Sequence, residues 1–159
     1  MSTSPEELAP HPDRIVLALH VASTLYLMVT IWVIQLVVYP SFGNADRARA
    51  RERIAAHGRR IRWIVGPAMV VELVTGLWLC AGPWFPFRDL ATLGLLLIAF
   101  IWGSTLLVHG PAFFRLPDGD DVGHRRLVNL NWFRTAAWTA RGILVLLLLL
   151  LAQGPEPVG

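Results

Sequence analysis

A single carboxylate, Glu72, interrupts the apolar run Ile64–Cys80, and a single guanidinium, Arg141, interrupts the apolar run Ala136–Ala152. A charge at the centre of a bilayer costs on the order of 3 kcal/mol even on lenient insertion scales. Such a group persists where it is paired, hydrated or used. With a helical rise of about 1.5 Å per residue, Glu72 lies roughly 15 Å, and Arg141 roughly 10–12 Å, from the arginine-rich ends of their runs. These depths nearly match, so the two side chains are expected to pair through charge-assisted hydrogen bonds. The pair has two uses. It is either an acid/base carboxylate tuned by its counter-ion or a structural clasp between two helices.

Further polar residues fall at helical spacing around the pair. Asn131, Arg134, Trp138 and Arg141 follow one another at steps of three, four and three, which is one helix face. Gln35 shares a face with Trp32 and Tyr39. Glu72, Arg141 and His57 are the candidate catalytic groups, and Gln35, Asn131, Arg134 and Trp138 the candidate substrate-binding groups. His20 and His109 are candidate ligands for haem or a transition metal, because neutral imidazole is the commonest protein ligand for both. No HxxH or HxxxH spacing occurs, so any such centre must be assembled across helices. The expected site lies in the arginine-rich half of the bundle, with His20 apart from it near the opposite surface.

The elements that must hold these groups are visible in the composition. The chain has 159 residues, 55% of them hydrophobic, and a mean hydropathy of +0.53. The apolar residues come in four blocks, and a membrane helix needs about 20 of them. Four spans are expected at about 15–38, 62–81, 89–108 and 133–152. The fold class is all-α, an integral membrane four-helix bundle formed as one domain by residues 1–159. Residues 1–12 read as a disordered outer tail. The first block follows an acidic rather than a basic segment and reads as a retained span, not a cleaved signal.

The chain has no lysine. Eleven of its 14 basic residues lie in the first and third connections, against Arg14 and Arg88 on the other side. The positive-inside rule then puts both arginine-rich connections in the cytoplasm and both termini outside. The arginines therefore read as a topology signal, and no nucleic-acid partner is expected. Cys80 is the only cysteine, which excludes an intrachain disulfide and any CxxC metal site. Pro67 should kink the second span, and Tyr39-Pro40 should end the first. The run Ala45–Ala56 is strongly helix-prone and is expected to form a short helix at the headgroups or to extend span 2.

Leu19-His20, the Tyr39-Pro40 pair, and Arg62-Trp63-Ile64-Val65-Gly66-Pro67-Ala68-Met69 resemble two small membrane families over the first half of the chain. These are the oxygen-independent protoporphyrinogen oxidases and the copper-resistance D type proteins. The former resemblance implies haem at the first-span histidine and an important lysine in span 3, which this chain lacks. Trp32-x-x-Gln35-x-x-x-Tyr39-Pro40 and Asn131-Trp132-Phe133-Arg134-Thr135-x-x-Trp138-x-x-Arg141 resemble an uncharacterised bacterial family of four-span membrane proteins. That likeness covers nearly the whole chain. It implies an all-helical fold in the bacterial inner membrane and no particular activity.

Three functions fit the sequence. The first is an intramembrane enzyme, or a haem or metal redox protein, acting on a lipophilic small molecule. The second is a non-catalytic subunit of a larger membrane complex or homo-oligomer. The third is a small transporter protomer. Membrane lipids are expected neighbours in each.

Overall fold

The computed structural model describes residues 12–43, 47–82, 87–109 and 121–152. Every regular element among them is helical. Helix α1 (Pro12–Val33) continues through a π-helical turn (Ile34–Val38) into the short α2 (Tyr39–Gly43). Next comes the long α3 (Arg47–Ala81), then α4 (Arg88–Ser104), which ends in a second π turn (Thr105–His109). Helix α5 (Asp121–Ala152) closes the fold.

Four stretches are long and apolar enough to cross a membrane: Asp13–Ser41, Ala56–Ala81, Arg88–Leu107 and Val128–Ala152. What faces outward supports the same reading. Leu96 is 63% exposed, Ile143 65% and Leu150 68%, while Glu72, Asn131 and Arg141 are each 0% exposed. Large apolar side chains outside and charged ones inside are the reverse of a water-soluble core.

The helices form a ring. Helix α1 packs on α3 and α5, and α4 packs on the same two, so α3 and α5 face each other across the diagonal. Paired positions run in opposite directions along α1 and α3 and along α1 and α5, and the apolar clusters, one holding Leu79 with Ala91 and the other Met69 with Ile101, oppose α3 and α4 likewise. Thr24 meets Glu72 while Tyr26 meets Ile64, and Gln35 meets Asn131 while His20 meets Arg141. The topology is therefore up-down-up-down, as short links between antiparallel helices require.

Layers follow one another along the axis. One apolar cluster contains Leu17, Val21, Leu79, Ala91, Val145 and Leu148. A second contains Leu27, Ile31, Met69, Ile101, Ala137 and Trp138. Between them lies a polar layer, and beyond the second cluster, toward the arginine-rich end, lies another.

Two local expectations are revised, and a third is decided between its alternatives. The first span does not stop at Tyr39-Pro40. Pro40 lies just after the π turn, and the helix runs on past it to Gly43. Of the two alternatives for the arginine-rich run, the structure takes the extension of span 2: the run from Arg47 is the continuous start of α3, which contains Pro67 within its helical span. Helix α5 begins at Asp121, well before the apolar block. The expected outer tail at 1–12 lies outside the described residues except for Pro12.

Candidate functional site

The first polar layer is assembled by α1, α3 and α5. The expected pair forms across the diagonal: Arg141 Nε donates to Glu72 Oε1 at 3.2 Å, and Nη2 lies 3.1 Å from the same oxygen as an ion-pair contact. Thr24, on α1, donates to the same oxygen at 2.8 Å. Both hydrogen bonds and the ion-pair contact therefore fall on one carboxylate oxygen. Glu72 Oε2 and Arg141 Nη1 are buried and have no hydrogen-bond partner. Unmet polar atoms in a dry interior carry a desolvation cost of roughly 1–3 kcal/mol each, more when charged.

His20 belongs to this layer, contrary to its expected isolation near the opposite surface. Its Nε2 lies 2.7 Å from Arg141 Nη2, and its Nδ1 lies 2.8 Å from Thr75 Oγ1. The network fixes the ring's protons. The Thr75 hydroxyl donates to the Val71 carbonyl at 2.7 Å, so it must accept from His20 Nδ1–H. A guanidinium only donates, so His20 Nε2 must accept. His20 is the neutral Nδ1–H tautomer, with both nitrogens engaged. A metal or haem at Nε2 would have to displace Arg141.

Two glycines make room for the layer. A β-carbon at Gly94, on α4, would collide with Arg141 Nη1. A β-carbon at Gly76, on α3, would stand 3.1 Å from His20 Cε1. Small residues at such crossings let membrane helices approach closely. Gly94 thus gives α4 a part in the site although it contributes no polar side chain there.

The second polar layer holds three of the expected substrate-binding residues. Asn131 Nδ2 donates to Gln35 Oε1 at 2.7 Å, and Arg134 Nη1 donates to Asn131 Oδ1 at 3.1 Å. The π turn of span 1 contains Gln35 and carries it inward, where it is 3% exposed. Such turns often sit where a side chain must be re-aimed. Nearby, Trp32 Nε1 donates to Thr139 Oγ1 at 3.1 Å, and the Trp32 and Trp132 rings meet edge to face with centroids 5.8 Å apart.

The single expected site is therefore two. Trp138, 3% exposed, packs in the apolar cluster between the layers. His57 lies fifteen residues before Glu72 on α3, roughly 22 Å along the helix axis, and cannot reach the carboxylate. His109 ends the second π turn, and its side chain lies outside the described residues. Among the described residues no three His, Cys, Asp or Glu side chains form a group able to hold a metal ion.

Thr24, Thr75, Gly76 and Gly94 carry no charge and no motif, so the sequence alone does not mark them as site residues. One signal was available. His20 and Thr24 are four apart on α1, and Glu72 and Thr75 are three apart on α3, so each pair shares a face.

Fold and site together define a class: an all-helical bundle, with four helices long and apolar enough to cross a membrane and a buried Glu–Arg–His cluster at its centre. Comparison of the chain with protein-family models, curated proteins and solved structures gives no match.

Proposed function

We propose that this protein is a bacterial inner-membrane protein that holds and acts on a lipophilic small molecule at the Glu72–Arg141–His20 layer. The orientation in this reading, with both termini outside, follows the arginine asymmetry. One observation carries it: the buried ion pair keeps one acceptor, Glu72 Oε2, and one donor group, Arg141 Nη1, without partners. A molecule bearing a hydroxyl or N–H beside a carbonyl would satisfy both. Glu72 Oε2 would accept the proton of that hydroxyl or N–H, and Arg141 would stabilise the carboxylate before transfer and polarise the carbonyl. His20, already hydrogen-bonded at both nitrogens, serves to orient Arg141 rather than to ligate.

Glu72→Gln tests this. Wild-type protein and the variant are purified in mild detergent, extracted with organic solvent and compared for bound small molecules by mass spectrometry and absorbance. A folded variant that has lost an extractable molecule supports the reading. Equal content in both refutes it.

A second reading has its own support. The layer is closed above and below by apolar clusters, which suits a clasp in a non-catalytic subunit. Under that reading Glu72→Gln lowers the folded yield and removes no ligand.

A further inference from the structure

Among the described residues Arg134 is a cation with no acidic partner. Its Nη1 is held by Asn131 Oδ1 at 3.1 Å. Asn131 is fully buried and is itself fixed by Gln35. Its Nε is shielded from solvent and has no hydrogen-bond partner, while the residue as a whole is half-buried. No acidic side chain among the described residues pairs with Arg134, whereas Arg141 has Glu72. A guanidinium held inside a membrane protein without an anion is costly, and a partner from outside the chain removes that cost.

We propose that the Nε edge of Arg134 binds a phosphate-type oxyanion, carried either by the headgroup of an anionic lipid or by a soluble phosphate compound. The planar guanidinium fork fits such an oxyanion with two parallel hydrogen bonds. The position suits it as well. Arg134 lies six residues inside the segment Val128–Ala152, roughly 9 Å along the helix from its start, within reach of the headgroup boundary. Trp32 and Trp132 stand on the same part of α1 and α5, as interfacial aromatic residues do. Arg59, Arg60, Arg62 and Arg125 are exposed toward this end and raise the local concentration of anions. The site is independent of the Glu72 layer. An apolar cluster separates the two, and Arg134 and Arg141 are roughly 10 Å apart along α5.

The test compares wild type, Arg134→Gln, Asn131→Asp and an Arg59→Gln/Arg60→Gln control. Binding is read by native mass spectrometry and thermal shift with phosphatidylglycerol, with phosphatidylcholine and with inorganic phosphate. Asn131→Asp supplies an internal carboxylate to Arg134 at nearly unchanged volume, so it decides the matter even if Arg134→Gln fails to fold. Wild type is expected to retain phosphatidylglycerol over phosphatidylcholine, or else to bind inorganic phosphate. Arg134→Gln and Asn131→Asp should weaken that binding by roughly tenfold or more, as loss of a bidentate charge-assisted contact implies. The double control should weaken it less, and mainly at low salt. Displacement of the lipid by millimolar phosphate assigns the oxyanion to solution, and resistance to displacement assigns it to a headgroup. Unchanged binding in Asn131→Asp, or equal retention of the two lipids together with no phosphate binding, overturns the proposal.

Discussion

Gly94 lies so close to the Arg141 guanidinium that a β-carbon there would collide with Nη1. The glycine is therefore what allows α4 to close over the charged layer. Arg141 cannot retreat cheaply, because Glu72 and His20 hold its other nitrogens. Gly94→Ala is expected to destabilise the bundle by about 1–3 kcal/mol, the usual cost of overpacking. Thermal unfolding in detergent measures it. A variant as stable as wild type would mean that α4 packs elsewhere.

The ion pair should show strong coupling. Glu72→Gln leaves Arg141 buried without its counter-charge, and Arg141→Gln leaves the carboxylate likewise. Each is expected to cost about 3–5 kcal/mol, and the double variant clearly less than the sum of the two. A double-mutant cycle on detergent unfolding reads the coupling. Strict additivity would show that the side chains do not act on one another.

His20 should carry its proton on Nδ1. Nitrogen-15 NMR of ring-labelled protein distinguishes the tautomers, and a proton on Nε2 would contradict the hydrogen-bond network. Thr75→Val removes the acceptor for that proton and should cost about 1–3 kcal/mol. It should also broaden or shift the His20 signals while leaving the Asn131–Gln35 contact intact.

Topology is directly measurable. The arginine split predicts that a cysteine at position 50 is reached by impermeant reagents only from the cytoplasmic side. Labelling in intact cells would reverse the orientation and put Arg134 at the opposite membrane surface.

The spans could be read from the chain because a hydrocarbon slab imposes one crude requirement, length with apolarity, and the four blocks meet it. The Glu72–Arg141 pair could be read for a related reason. Two isolated charges at similar depth have few alternatives to each other. Depth also misled. Sequence position gives the depth of His20 from the far surface and that of Glu72 from the near one, so their common level shows only in the packing of α1 on α3 through Thr24 and Thr75. His57 shares only a membrane side with the site, because fifteen residues of helical rise separate it from Glu72. Trp138 shares the stripe of Arg134 and Arg141, but a stripe of that length crosses three layers, and its middle member falls in the apolar one. The π turn at Ile34–Val38 left no mark that could be recognised, because one extra residue in a turn changes the facing of Gln35 and not its composition.

The diagonal placement of the ion pair has a consequence for how the protein is made. Synthesis proceeds from the N-terminus, so α1 and α3 are delivered to the membrane before α5. Glu72 and His20 thus enter it ahead of the guanidinium that joins them, with only the hydroxyls of Thr24 and Thr75 at hand. The half-made bundle holds a carboxylate that lipid tolerates poorly, and the last helix brings the cation that resolves it. Arg141 then brings both the counter-charge and, with α5, the fourth side of the ring. A nascent chain halted before α5 would remain marked, by its unmet acid, as unfinished.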